Sequence, residues 1–317
     1  MGTRPAKICR PILHEPVPRE RLFNLLDNSR PHPLVWVGAP PGAGKTTLIA
    51  SWLEARQASA VWYQLDSTDA DPATFFYYLG LAAQPLLRDR KRRGIPLLSP
   101  ELDRDPASFA RRYFRNLFAS LAPGTVITLD NLHEIPERSP LYMSLANAAE
   151  EIPRGSLLLL VSRDAPGTAF ARLQANRIMR VVDAGDLKLT LPETRLMLHE
   201  RAHVKDPDAT ELHELCQGWA AGLTLLMERR RHGDPLRTSA ISLSLQNIFD
   251  YFAAEIFDRI AESDQDTLLR LCWLPEFTAS LAVQASANDD AGRLVERLYR
   301  QNLFVDRRGH ASALRED

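Results

Sequence analysis

Short apolar runs alternate with longer stretches of helical spacing through the first half of the chain. The runs are "LVWV" (34–37), "AVWYQL" (60–65), "TVITL" (125–129) and "SLLLLV" (156–161). Each is apolar at consecutive positions rather than at every second one, the mark of a parallel strand covered by helices on both faces. Helices are predicted over Leu48 to Arg56, over "ATFFYYLGLAAQPLL" after Asp71 and Pro72, and over "FARRYFRNLFASLA". In the last of these Phe109, Tyr113, Leu117 and Leu121 recur every fourth residue and share one face. The pattern predicts a three-layer α/β core with a parallel sheet.

After about residue 190 helical patterns follow one another: "PETRLMLHERAHV", "ATELHELC", "AGLTLLMERR", "NIFDYFAAEIFDRI", "DTLLRLCWL" and "AGRLVERLYRQ". No further apolar strand is read until "NLFVD" (302–306), whose place after the last helix is the trace expected of a winged-helix module. The expected division is an α/β domain over 1–190, a helical domain over 191–240 and a winged-helix domain over 241–317. The basic hexamer "RDRKRR" (88–93) reads as a solvated loop, since no aromatic residues interleave it, with phosphate clamping as the alternative.

Composition narrows the partners. Across 317 residues, 39 basic side chains face 40 acidic ones, a formal charge of −1, so the chain as a whole carries no electrostatic footprint for nucleic acid or an anionic membrane. The longest apolar run, "LLLLV", is far too short to span a bilayer. Cys9, Cys216 and Cys272 are far apart and form neither a zinc motif nor a disulfide framework, which fits a reducing, cytoplasmic location.

The chemistry concentrates in "GAPPGAGKTT" (38–47), between the first strand and the first long helix. It fits a phosphate-binding loop of the form A-x-x-x-x-G-K-T, with Ala39 in place of the usual first glycine. After Pro41, which shapes the loop, the small residues Gly42, Ala43 and Gly44 let successive backbone N–H groups point into one concavity that holds a β-phosphate. Lys45 reaches β- and γ-oxygens, the Thr46 hydroxyl ligates magnesium, and Thr47 continues the helix start. A second strand should then end in an acid, and "TVITLDNLHEI" places Asp130 there to orient magnesium waters. Asn131 follows, and an amide cannot accept a proton from an attacking water. Glu134 is the nearest substitute, though pairing with Arg138 explains it equally well. The next strand ends in "VSRD", putting Arg163 at the carboxyl edge of the sheet, where it reads a γ-phosphate or pairs with Asp164 or Asp130; the spacing leaves both open. Trp219 in "CQGWAAGL" reads as a core residue at a helix junction with Gly218 at the turn. His133 reads as a packing or hydrogen-bonding histidine.

Taken in order, "VPRERL" (17–22), "GAPPGAGKTTLIASW" (38–52), "WYQLDSTDADPATFFYYL" (62–79), "LDNLHEI" (129–135), "SR" (162–163), "GWAAGL" (218–223) and "YFAAEIF" (251–257) make the chain resemble the STAND-class signal-transduction ATPases. Within that class it is most similar to the large MalT-like, LuxR-type ATP-binding transcriptional regulators. The resemblance implies that Val17 and Arg19 line an adenine pocket, that Lys45, Thr46 and Thr47 bind the phosphates of ATP or ADP, that Asp130 serves magnesium and that Arg163 is the sensor. It also implies downstream sensor and DNA-binding domains as partners, with self-association on activation. Two departures stand out: Asn131 replaces a second aspartate, and the chain stops at "GHASALRED", which looks like a fragment. The expected function is an ATP/ADP switch with slow hydrolysis and no DNA binding of its own. The alternative is an AAA+ or origin-recognition-like ATPase acting by turnover in an oligomer. A small-molecule kinase is disfavoured because no acceptor pocket is signalled beside the loop.

Overall fold

The computed structural model describes residues 4–13, 16–87, 105–202, 206–231, 257, 260–274, 276–300 and 305. The basic hexamer at 88–93, the strand expected at 302–306 (bar residue 305) and most of the helical pattern at 247–260 lie outside these residues. The chain divides into two compact units, Met1–Ala220 and Ala221–Asp317.

The first unit is built on five parallel strands, β1 (Leu34–Gly38), β2 (Ala60–Gln64), β3 (Val126–Asp130), β4 (Leu157–Ser162) and β5 (Met179–Val182), in the order β2-β3-β4-β1-β5. Successive residues of each strand enter opposite layers. Leu34, Trp36, Ile127, Leu129, Leu158 and Leu160 pack with α3 (Pro72–Ala83), α4 (Pro106–Ser120) and α5 (Pro140–Ala148). Val35, Val37, Leu157, Leu159 and Val161 pack on the other face with α1 (Glu20–Asp27) and α2 (Lys45–Ala55). The consecutive apolar residues of the sequence are thus two interleaved alternating sets, one for each layer. Phe109, Tyr113, Leu117 and Leu121 are all buried.

Three of these helices start on one device. Asp71, Asp105 and Ser139 each accept a hydrogen bond from a backbone N–H of the first turn, and each is followed by proline at the first helical position. The caps satisfy donors that the helix leaves free, and the proline lacks the N–H that has no partner there. The fifth strand was not legible as an apolar run. At "MRVV" it is short, half-covered and at the sheet edge, so Arg180 sits in it without a fully buried charge. The small helices α6 (Ala171–Ala175) and α7 (Ala184–Leu187) flank it, and α8 (Leu191–Ala202) and α9 (Asp206–Cys216) follow.

Helix α10 (Ala220–Arg231) begins at the unit boundary. In the second unit α11 (Glu262–Leu271), α12 (Ala279–Ser286) and α13 (Ala291–Arg300) gather around Leu271, Ala282 and Ala291. Thr278 caps α12 at Leu281 N, Asn288 Nδ2 donates to Thr267 Oγ1, and Arg297 pairs with Asp264. Among the described residues no helix is long and apolar enough to cross a membrane.

The strand order is what builds the site. Because β4 lies between β1 and β3, the carboxyl ends of all three open onto one edge, with Gly38 opposite Ser162. Trp36 Nε1 donates to Asp164 O at 2.9 Å, and a Cβ on Gly38 would come within 2.9 Å of both atoms. Gly38→Ala should therefore destabilise the chain by about 1–3 kcal/mol through overpacking. Chemical denaturation followed by tryptophan fluorescence measures it, and an unchanged midpoint contradicts this packing.

Candidate functional site

Strand β1 runs into the loop 39–44, and α2 starts at Lys45. Gly42 and Gly44 take left-handed backbone angles, φ 74° and 83°, which only glycine adopts without strain. Ala39 does not: its φ is not positive, it is fully buried, and its N–H donates to Ser162 O at 3.3 Å, continuing the strand pairing. That is why the motif tolerates alanine there. No side chain caps α2, so its first N–H groups face the loop's concavity without an internal acceptor.

Lys45 Nζ donates to Ala39 O at 2.5 Å and to Pro40 O at 3.0 Å. Burial lowers its pKa to about 8; Asp130 and Asp164 counter that shift, and Arg163 adds to it. The neighbouring Thr46 Oγ1 donates to Asp130 Oδ2 at 2.9 Å, and Asn131 N donates to Asp130 Oδ1 at 2.9 Å. Asp130 is 2% exposed, and burial pushes its carboxyl above the usual range despite both bonds and Lys45. Asn131 sits in the left-handed region at φ 62°. Arg163 follows the last residue of β4 and is half-buried, close enough to act electrostatically on Lys45, His133 and Asp164.

The edge of the sheet thus gathers Lys45, Thr46, Asp130 and Arg163. Glu134 is exposed at the end of a 3-10 turn, its carboxylate 3.6 Å from His133 Nε2. Thr47 is exposed on α2, and Pro41 is buried. His133 departs from a hydrogen-bonding role, since neither ring nitrogen has a hydrogen-bond partner although both are buried. Burial first, then Arg163 and Lys45, hold it neutral with a pKa lowered to about 3.

Around the loop runs a set of long-range bonds. Arg19 is buried; its Nη1 donates to Leu187 O at 2.9 Å and its Nη2 to Lys188 O at 2.9 Å and Glu193 Oε2 at 3.0 Å. Arg21 joins the same glutamate at 3.2 Å. Val17, two residues before Arg19, is half-buried. Leu189 N donates to Gly218 O at 2.7 Å, and Trp219 Nε1 donates to Pro41 O at 3.2 Å. Trp219 is therefore not a wholly buried core residue: half-buried, it reaches back to the phosphate loop. The turn that carries it was legible from Gly218, which has φ 74° and no room for a Cβ against Leu189 O. Sequence reasoning also passed over Asp164, named only as a partner for Arg163.

A family model described as the MalT winged helix domain matches residues 253–315. The HTH-type transcriptional regulator MalT of Vibrio cholerae is 26% identical over 311 residues, covering 95% of this chain and 34% of the relative. That of Serratia proteamaculans is 28% identical over 313 residues, covering 96% of this chain and 34% of the relative. The chain therefore spans about a third of the length of the curated relatives it matches. Among solved structures, the Walker-type ATPase of Pyrococcus abyssi superposes with a TM-score of 0.60 at 16% identity, over 95% of this chain and 93% of that one. A STAND protein with a tetratricopeptide repeat sensor from Pyrococcus horikoshii gives 0.50 at 16%, over 88% and 40%. At these identities the structural likeness speaks for the fold alone. With a P-loop ATPase fold in the first unit and a MalT winged-helix match in the second, the chain is homologous to the MalT transcriptional regulators.

Proposed function

We propose that this chain is the nucleotide-binding switch module of a MalT-like transcriptional regulator, holding ADP or ATP with magnesium and hydrolysing ATP slowly. The observation that carries the reading is the 2.9 Å bond from Thr46 to Asp130, which ties the start of the loop helix to the end of β3. Phosphate loops use this pair of residues, a hydroxyl and a second-strand acid, to hold magnesium. The left-handed glycines and the uncapped helix start supply the phosphate cradle, and the half-dehydrated Lys45 the countercharge.

The remaining roles follow the same reading. Backbone N–H groups of Gly42, Ala43, Gly44 and Lys45, with those of Thr46 and Thr47, meet the phosphates, and Arg163 faces the terminal one. Pro41 contributes shape and a carbonyl but has no N–H to give. Val17 and the stem of Arg19 line the adenine side, while the Arg19 guanidinium is engaged with Leu187, Lys188 and Glu193. Sensor and DNA-binding domains read the bound state, with self-association in the active one, in the cytoplasm. Hydrolysis is slow because Asn131 has no basic oxygen for a proton and Glu134 is exposed, its carboxylate beside His133.

Lys45→Ala should abolish tight ADP binding while the chain stays folded, because the variant deletes a partly dehydrated charge that burial already disfavours. Calorimetric titration and a thermal melt check both halves; retained affinity means the loop is not the site. Asp130→Asn should raise the melting temperature of the nucleotide-free chain, against the usual loss of about 1 kcal/mol for a substitution. The sign follows from the carboxyl's raised pKa: its charged form is disfavoured in the fold, so its cost grows as pH rises past the unfolded value. The same variant should lose magnesium-dependent affinity. ATP turnover should lie far below the roughly 10 per second of a typical enzyme, and Asn131→Asp should raise it. A wild-type rate of several per second would replace the switch with a motor.

A further inference from the structure

Asp164 stands where the positive charge of the site is concentrated. Its backbone is fixed against the root of the phosphate loop by four contacts. Gly38 and Ser162 are register partners, Ala39 N donates to Ser162 O at 3.3 Å, Trp36 Nε1 donates to Asp164 O at 2.9 Å, and Asp164 N donates to Ser162 Oγ at 3.1 Å. One residue along that loop, the Ala39 carbonyl holds Lys45 Nζ at 2.5 Å. The absent side chain of Gly38 is what lets the Asp164 carbonyl come so close. A one-residue turn after β4 therefore delivers a carboxylate to the neighbourhood of Lys45 by backbone geometry.

Lys45 consequently stands between two acids. Asp130 is accounted for by its bonds to Thr46 and Asn131 at the magnesium side. Asp164 has no such task. It is half-buried and within electrostatic reach of Lys45, Arg163 and Glu137, and Glu137 lies over the following loop at Gly167. Burial first, and Glu137 next, raise its carboxyl to about 6, while Arg163 and Lys45 pull the other way. Above that pH Asp164 carries its charge within electrostatic reach of Lys45 and Arg163.

We propose that Asp164 makes this site select a nucleoside diphosphate over a triphosphate, its carboxylate holding against Lys45 and Arg163 the electrostatic place that a third phosphate needs. The inference rests on the nucleotide reading above. A β-phosphate is held by Lys45 together with the backbone N–H groups of the loop and helix start, and Asp164 does not engage those N–H groups. A γ-phosphate depends on the lysine and on the arginine at the strand end, and there it meets a like charge in a partly dehydrated place. Binding a triphosphate thus requires Asp164 to take up a proton, and the diphosphate does not.

The test is competitive binding of ADP and a non-hydrolysable ATP analogue with magnesium to the full chain, comparing wild type with Asp164→Asn at pH about 5.5 and about 8. Asp164→Asn should raise triphosphate affinity about tenfold or more and leave diphosphate affinity within about twofold. The wild-type preference for diphosphate should relax as pH falls through about 6, beyond any change in the variant, which carries the titration of the nucleotide itself. Asp164→Ser serves as a second variant if the asparagine fails to fold. An unchanged affinity ratio with ADP still bound overturns this inference alone. Wild-type protein that binds no ADP overturns the nucleotide reading with it.

Discussion

Lys45 loses much of its hydration where β1 turns into α2, and its pKa falls to about 8 even with two acids nearby. That partly dehydrated ammonium is the constraint around which the first unit is arranged. Its nearest acceptors are two carbonyls of its own loop, at 2.5 and 3.0 Å, so the loop folds over the charge instead of leaving it to water. Asp130 and Asp164 attract it and Arg163 repels it. Two cations and two acids are thus gathered in one partly dehydrated place, an arrangement that costs stability and that is common where proteins bind ligands. The strand order serves this cluster, because β4 lies between β1 and β3 and so brings Arg163 and Asp164 to the same sheet edge as Lys45 and Asp130.

The parts of this arrangement that depend on local pattern were legible in the sequence. Consecutive apolar residues gave four strands, the every-fourth-residue spacing of Phe109, Tyr113 and Leu117 gave a buried helix face, and the loop between a strand and a helix gave Lys45 and Thr46. Asp130 followed because a strand end is readable and the second acid of a phosphate site sits at one. The fifth strand was missed for a physical reason: an edge strand of four residues with an arginine in it has no two-sided burial to announce itself. Asp164 was missed because its position depends on which strands are neighbours. Only the pairing of Gly38 with Ser162 brings it to Lys45, and no periodicity encodes that.

The long-range bonds outside the loop answer a different need. Arg19 before α1, the segment 187–193 after β5 and the turn at 218–219 are distant in sequence and would each leave backbone groups without partners. Arg19 satisfies two carbonyls of that segment, Leu189 pairs with Gly218, and Trp219 reaches Pro41. The start of the chain, the end of the sheet and the approach to α10 are thereby coupled to the loop that would hold phosphate. A rearrangement of Pro41 has a direct path to Trp219, one residue before α10, through a hydrogen bond rather than through general packing.

Asn131 places an amide side chain at a turn that its own backbone helps to hold. The position requires φ 62°, which asparagine and aspartate tolerate better than other residues with side chains. Its backbone N–H supports Asp130 at 2.9 Å and its carbonyl accepts from Glu134 N at 2.9 Å, so the turn after β3 depends on the main chain at this residue. Exchanging a carboxylate for an amide here leaves those bonds, the 3-10 turn and the Thr46–Asp130 pair in place. What changes is the side chain's capacity to take a proton, and with it the barrier to attack by water. On the proposed reading, binding and hydrolysis are separable at this turn, because the backbone of residue 131 serves the first and its side chain the second.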